Sequence, residues 1–408
     1  MKTEIIFRKT LLAASIAMLS ACGGGGSSST ADTGTTVGVV TGFGSIYVNG
    51  VEYETDGASI SIDGVSSLET SLGVGDVVVL RGSVNADGIT GTATSVVCSD
   101  ELEGYVLDVS GLGIDGTGTM NVMGQTVTVT ADTVFDSDTR ASVSDLVAND
   151  IVEVHGFPDG NGNILATRIE TKNGDEDVEV KGLVSSLDTT AMTFMIGGLT
   201  VDYSAASEWP LNITNGMYVE AKTESALNGT TMNASKVEIE DDGDMDIDGD
   251  EGEDMKVQGL VSDVTATSFR FNGQLVEFAS IELDDDFDLA SLTNGMMITV
   301  EGYIDGNGNF VVKEIEDEHE SEHEADGYVM SKTENTITIM VGSSEMTFTI
   351  TNKTRMIDDQ DDGMVPLHYF SLADVAISEY VEIEYYVDDA SSTNIATELE
   401  REDAPAPQ

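Results

Sequence analysis

Cysteine and basic residues are both scarce in this chain. Its 408 residues include two cysteines, Cys22 and Cys98, which excludes a disulfide framework. Lys and Arg together number 17, against 75 Asp and Glu, and the formal net charge at pH 7 is -58. A surface with this charge repels phosphate groups, and we therefore expect no nucleic-acid partner.

Catalytic signatures are missing as well. The chain has no hydrolase nucleophile motif, no phosphate-binding glycine loop and no helical pair of zinc-binding histidines. His155 falls in a strand-like run and His368 in a loop, and neither has a nucleophile motif beside it. We therefore predict that the protein is not an enzyme and has no cofactor beyond weakly bound calcium or another divalent cation.

The N-terminal residues have the order of a bacterial signal peptide. Basic side chains precede a short apolar stretch at residues 11–19, which is too short to span a bilayer, and small residues then lead to Cys22. The run Leu19-Ser20-Ala21-Cys22 resembles the lipobox of bacterial lipoproteins. This resemblance implies that Cys22 carries the lipid and, since no Asp follows it, that the chain is held at the outer membrane. An ordinary secretory signal with a chance cysteine is the alternative.

An internal repeat occurs five times after this region. Each unit opens with a glycine in an apolar run and continues with two alternating strands around a turn that contains glycine. Asn-Gly, present in two of these turns, is the strongest short signal for a β-hairpin, because both turn residues need a positive φ. The opening glycines are Gly38, Gly104, Gly182, Gly259 and Gly327, and the turns lie at residues 49–50, 123–124, 197–198, 272–273 and 342–343.

Each unit closes with two further strands joined by a polar turn. The last strand places apolar residues three apart, as in Ala166 and Ile169, which does not suit the period of two of a flat strand. We therefore predict a bulge or a sharp bend in the closing strands. The strand before it ends with a glycine in the first, second and fourth units, at Gly82, Gly156 and Gly302. The third and fifth units have Thr223 and Tyr386 at this position.

Short strands without a helix long enough to cover a sheet predict an all-β fold. Because closure removes sheet edges, we predict five tandem small β-barrel repeats of OB-like type, with a β-sandwich as the alternative. The units resemble the bacterial repeat family called domain of unknown function 5666, best in Asn149–Gly156 and Ala166–Glu170 of the second unit. The resemblance implies a small β-barrel in exported, often lipid-anchored proteins, and it supplies no catalytic residues.

The predicted organisation starts with a lipoprotein signal peptide, residues 1–21, and a flexible tether, residues 22–36. Acidic linkers at 241–254 and 317–325 should hold neighbouring barrels apart as separate cores, because like charges extend a chain. The barrels span 37–98, 101–171, 178–240, 255–316 and 326–400, and residues 401–408 form a disordered tail.

The acidic linkers contain the candidate metal ligands. Asp244, Asp246, Asp248 and Asp250 alternate like the opening of a calcium loop, without the bidentate Glu that would complete it. His319 and His323 lie four residues apart and would share a face for zinc, copper or nickel if this stretch formed a helical turn. For both segments the alternative is a solvated linker that binds no metal specifically.

The sequence thus predicts a non-catalytic, lipid-anchored protein of the bacterial outer membrane whose barrels act as a binding or spacer module. Its partners would be the membrane, through the N-terminal lipid, and an envelope protein or polysaccharide. Whether it faces the periplasm or the outside stays open. The alternative is an envelope protein that responds to calcium or another divalent cation through its acidic linkers.

Overall fold

A computed structural model gives the fold. All the residues that it describes belong to one compact unit, Asp32–Gln408. No helix among them has the length and apolar character needed to cross a bilayer. Short 3-10 turns lie at Glu69–Ser71, Val143–Asp145 and Leu289–Ser291. The described residues are 34–43, 45–86, 88–114, 116–137, 139–172, 178–239, 252–278, 281, 289–304, 310–317, 323–333, 335–351, 353–358, 371–388 and 392–402.

The first repeat closes into a five-stranded barrel with one added hairpin. Its strands are β1 (Gly34–Gly42), β2 (Ile46–Val48), β3 (Val51–Glu54), β4 (Ser59–Ile62), β5 (Val65–Ser66), β6 (Val77–Val84) and β7 (Thr90–Cys98). β1, β2 and β3 form an antiparallel meander, β7 runs parallel to β3 and antiparallel to β6, and β6 returns to pair with β1. Each barrel strand therefore has two neighbours, as in a small Greek-key barrel of OB-like type.

The other repeats follow the same plan. The strands of the second repeat are β8 (Leu102–Leu112), β9 (Gly118–Val122), β10 (Gln125–Val129), β11 (Val134–Asp136), β12 (Ile151–Pro158) and β13 (Asn163–Lys172). Those of the third are β14 (Val178–Leu183), β15 (Ser185–Asp188), β16 (Thr193–Ile196), β17 (Leu199–Asp202), β18 (Tyr218–Thr223), β19 (Thr231–Asn233) and β20 (Lys236–Ile239). Those of the fourth are β21 (Asp254–Ser262), β22 (Ser268–Phe271), β23 (Gln274–Glu277), β24 (Met297–Ile304) and β25 (Phe310–Asp317). Those of the fifth are β26 (His323–Lys332), β27 (Thr336–Val341), β28 (Ser344–Thr349), β29 (Arg355–Asp358), β30 (Tyr380–Asp388) and β31 (Thr393–Glu402).

The closing pairs show how the barrels vary. Parallel pairs β10–β13 and β28–β31 close the second and fifth barrels, and the third barrel breaks its first and last strands in two. The all-β prediction with small OB-like barrels is confirmed.

Bulges lie in the closing strands, as the sequence predicts. The pairs β6–β7, β12–β13, β24–β25 and β30–β31 each shift register there. In the second repeat Gly156 faces Ala166 across the bulge, and a Cβ at position 156 would lie 2.1 Å from the Leu165 carbonyl oxygen. The third repeat has Thr223 in place of this glycine and breaks its last strand instead.

The opening glycine and the hairpin turn form one packing unit. Asn49 and Gly50 have φ of 48° and 78°, as the predicted Asn-Gly turn requires. The Asn49 side chain folds back and donates from Nδ2 to the Val37 carbonyl oxygen at 2.8 Å. A Cβ on Gly38 would lie 2.1 Å from Asn49 Oδ1, so only glycine leaves room for the asparagine.

Strand pairing joins two pairs of barrels. β1 pairs in parallel with β21 and joins repeats 1 and 4 in one sheet. β8 pairs with β14 and joins repeats 2 and 3, whose buried apolar side chains form one core. The expectation of separate cores is therefore wrong for repeats 2 and 3, because shared apolar burial outweighs a charge repulsion that salt screens. Repeats 1 and 4 share a sheet but keep largely separate cores.

Candidate functional site at the junction of the first three repeats

Charged side chains are buried where repeats 1, 2 and 3 meet. Such residues are almost never buried unless they are paired, so their packing is specific. We call the set formed by these residues and Cys98 the junction. Its charged members are Asp76, Asp100, Glu101, Glu153, His155, Arg168, Glu179, Lys181 and Glu220.

Strand β12 supplies the centre of the junction. Its valines point into the core of repeat 2, so Glu153 and His155, which alternate with them, point outward. Repeat 1 packs against this outer face and leaves the His155 side chain 2% exposed. The Nε2 atom of His155 lies 2.7 Å from Glu153 Oε1 and 3.6 Å from Asp76 Oδ1, and Nδ1 lies 4.0 Å from Cys98 Sγ.

The buried thiol and imidazole have shifted protonation. Burial raises the pKa of Cys98 well above its ordinary value, and neighbouring carboxylates, Asp76 first among them, raise it further. Burial by itself lowers the pKa of His155, but Asp76 and Glu153 outweigh it and the net pKa is raised. The thiol is therefore neutral and lacks the thiolate that nucleophilic catalysis needs.

Arg168 of β13 ties the first repeat to the second. Its Nη2 atom lies 2.6 Å from Asp136 Oδ2, and Nε lies 3.4 Å from Asp76 Oδ1. Nη1 donates to the Val74 carbonyl oxygen at 3.3 Å. Gly73 makes room for the guanidinium, because a Cβ there would lie 2.1 Å from Nη1. The remaining Asp76 oxygen, Oδ2, accepts a hydrogen bond from Gly73 N at 2.7 Å.

Lys181 of β14 brings the third repeat into the junction. Its Nζ atom donates to Ser99 Oγ at 2.6 Å and to the Asp100 carbonyl oxygen at 2.5 Å. Burial raises the pKa of the Asp100 carboxyl well above its ordinary value; Lys181 opposes this rise and Glu179 adds to it. Lys222 Nζ lies 2.5 Å from Glu179 Oε2, and Lys181 Nζ lies 3.7 Å from Asp100 Oδ1. Each of these two carboxyl groups therefore has a lysine beside it.

A family model described as a domain of unknown function (DUF5666) matches residues 36–97, 103–170, 181–238, 258–316 and 326–400. The chain belongs to this family. The description of this family names no catalytic activity. None of the curated proteins matches the chain. A similar solved structure, "drosophila Unr CSD456", is 12% identical, with 55% of this chain and 96% of that chain covered and a TM-score of 0.13.

Three groups of side chains in this DUF5666 protein bring possible metal-ligating atoms within 4.8 Å of one another, counting only the described residues. One group combines sulfur, nitrogen and oxygen donors, and the other two contain carboxylates alone. The mixed group has the donor chemistry of a transition-metal site, whereas carboxylates alone suit calcium or magnesium. The groups are Asp76, Cys98 and His155; Asp63, Asp100 and Glu179; and Asp100, Glu103 and Glu153.

The predicted site residues lie elsewhere in the DUF5666 chain. His323 is exposed at the start of β26, and its ring packs at a tilt against Tyr385 with centroids 5.2 Å apart. None of the three metal-capable groups found among the described residues includes it. The other predicted site residues lie outside the described residues: Cys22, Asp244, Asp246, Asp248, Asp250 and His319. Lipid attachment and metal binding by the acidic linkers therefore stay predictions.

Sequence reasoning missed the junction for a physical reason. Glu153 and His155 occupy alternate positions of a strand whose other side chains are apolar, the pattern of a solvated outer face. Which outer face a neighbouring barrel covers is decided by packing between different repeats. One signal could have indicated it: Glu153 and His155 lie on the same face of a strand in the second unit, the unit that resembles the family best.

Proposed function

We propose that this chain is a non-catalytic, lipid-anchored protein of the bacterial outer membrane. Its docked barrels act as a preformed binding or spacer module for an envelope protein or polysaccharide. The observation that carries the proposal is the joining of repeats by strand pairing: β1 of repeat 1 pairs with β21 of repeat 4, and β8 of repeat 2 pairs with β14 of repeat 3. A module docked in this way presents a surface without first having to order its repeats, which lowers the entropic cost of binding.

Burial at the junction supports a role without catalysis. Cys98 and His155 are 1% and 2% exposed, so substrate has no access to the sulfur and nitrogen atoms that lie together. The raised pKa of the thiol keeps it protonated. Ion pairs that fill the remaining junction serve packing between repeats.

Lipid attachment is tested by metabolic labelling with a fatty acid. The wild-type chain is expected to take up label and to fractionate with outer membranes, and Cys22→Ser is expected to lose both properties. Cys98→Ser is the matched control, since it removes the other cysteine and should keep the label. A wild-type chain without label would overturn the anchor.

Docking of the barrels is tested by small-angle X-ray scattering. A docked module is expected to keep its radius of gyration between low and high salt, whereas barrels on acidic connectors would contract as salt screens their charges. Adding millimolar calcium in place of a chelator distinguishes the calcium-responsive alternative, which requires a contraction. Contraction with salt alone would argue against the docked module.

A further inference from the structure

Three buried donors of different chemistry converge where repeats 1 and 2 meet. Cys98 ends β7, Asp76 directly precedes β6, and His155 lies in β12. Their exposed fractions are 1%, 4% and 2%, and their candidate ligand atoms lie within 4.8 Å of one another. A thiolate, an imidazole and a carboxylate together are typical zinc ligands.

The histidine is held in the orientation that a metal ligand needs. Metal-binding histidines usually donate their second ring N–H to a carboxylate, which fixes the tautomer and the plane of the ring. Here His155 Nε2 lies 2.7 Å from Glu153 Oε1, and Lys172 Nζ holds the other Glu153 oxygen at 2.7 Å. The opposite ring nitrogen, Nδ1, faces Cys98 Sγ at 4.0 Å.

We propose that Cys98, His155 and Asp76 bind a transition-metal ion of the zinc class and thereby hold the first two repeats together. Zinc lies about 2.3 Å from sulfur and about 2.1 Å from nitrogen. These two bonds together exceed the 4.0 Å between Cys98 Sγ and His155 Nδ1, so one ion can reach both atoms. The thiol proton leaves to solvent when the ion binds, and the charge of the ion stabilises the thiolate.

Arg168 shares Asp76 with this site without filling it. Its Nε atom lies 3.4 Å from Asp76 Oδ1, and Gly73 N donates to Oδ2. His155 Nε2 also lies 3.6 Å from Oδ1. A carboxylate has about four lone-pair sites on its two oxygens, so these three neighbours leave acceptor capacity for an ion. The sulfur and nitrogen donors distinguish this group from the carboxylate group around Asp100, where Lys181 already supplies a cation.

The experiment uses the full chain with Cys22→Ser, in which Cys98 is the single thiol. Titration with Co²⁺ is expected to produce a thiolate-to-cobalt charge-transfer band that saturates at one ion per chain and disappears when Zn²⁺ is added. Zinc is also expected to raise the thermal midpoint of this protein relative to a chelator. Any such band must come from Cys98, whatever the acidic surface binds.

Variants of the single-thiol chain test the ligand set. Cys98→Ser and His155→Gln are expected to lose the band and the zinc-dependent rise in midpoint. Glu153→Gln, which alters the orienting carboxylate, is expected to weaken Zn²⁺ binding by about 10- to 100-fold. His323→Gln is the matched control and should behave like its parent, because His323 is an exposed residue at the start of β26.

Two results would overturn the proposal. The first is a folded single-thiol chain that shows no charge-transfer band with Co²⁺. The second is zinc content that is the same in the single-thiol chain and in Cys98→Ser, since this would show adventitious binding to the acidic surface. If a variant fails to fold, the band of the parent still decides the question.

Discussion

Gly156 in β12 has to be glycine because backbone atoms of the neighbouring strand lie close to it, and not because its φ is positive. The bulge brings the Leu165 carbonyl oxygen within 2.1 Å of where a Cβ on Gly156 would lie. We expect Gly156→Ala to lower the free energy of unfolding by about 1–3 kcal/mol, because the bulged strand has to move. Gly42→Ala is the control, since its Cβ would meet Tyr47 at an ordinary 3.6 Å. Urea denaturation measures both, and equal losses would contradict this explanation.

The carboxyl group of Glu220 makes stability depend on pH. Burial, with Glu179 beside it, raises its pKa from 4.5 to about 7, against the opposing charges of Lys222 and Lys181. The folded chain therefore binds this proton more tightly than the unfolded chain, and its contribution to stability is lost as pH rises from 4.5 through about 7. Glu238 faces Glu220 in the β18–β20 ladder and adds no cation.

Glu220→Gln imitates the protonated carboxyl and tests this linkage. Wild type is expected to lose more unfolding free energy than Glu220→Gln between about pH 5 and pH 8, because only wild type releases the proton. Urea denaturation across this range gives the difference between the two proteins. Glu54→Gln, on an exposed position of repeat 1, should follow the wild type. Parallel curves for wild type and Glu220→Gln would exclude this source of pH dependence.

Among elements, the short strand β29 docks the fifth repeat onto the second. Arg355 is largely buried there, with its side chain 11% exposed, and its Nη2 atom lies 2.6 Å from Glu398 Oε2 and 3.0 Å from Asp132 Oδ1 of repeat 2. Removing one partner of a buried pair leaves the other charge uncompensated. We expect Arg355→Ala to lower the free energy of unfolding by about 3–5 kcal/mol.

Arg270 offers the control for this prediction because its ion pair with Asp263 is partly exposed. Arg270→Ala should change stability by no more than about 1 kcal/mol. Chemical denaturation followed by circular dichroism compares the two variants. Similar effects would show that solvent reaches Arg355 and that β29 is not a buried docking element.

Elements within a repeat could be predicted, whereas contacts between repeats could not. The Asn49-Gly50 turn and the bulge opposite Gly156 each leave a local pattern, because the residues concerned are close in sequence. The pairing of Thr36 with Lys256 joins positions far apart along the chain, and no periodicity encodes it. For the same reason the sequence did not predict the burial of His155. It lies on the outer face of β12, and this face would be solvated if repeat 1 did not cover it.

At the scale of the whole molecule, the barrels differ in how far they depend on one another. Repeats 2 and 3 share a core that includes Val180, which is fully buried and faces Leu102 of β8 across the ladder. Repeat 5 has a core of its own, in which Val381 is equally buried. Val180 therefore lies in a core shared by two repeats, and Val381, which has the same burial, lies in a core of one repeat.

This difference predicts which repeats a core substitution destabilises. Val180→Ala and Val381→Ala should each cost about 2 kcal/mol from the lost methyl groups and the cavity left behind. Val180→Ala is expected to speed hydrogen exchange in β10 (Gln125–Val129) of repeat 2 as well as in repeat 3, because one core supports both. Val381→Ala should speed exchange in repeat 5 and leave β10 unchanged. Exchange that rises only in repeat 3 of Val180→Ala would mean that its barrel unfolds independently, and the shared core would not couple the two repeats.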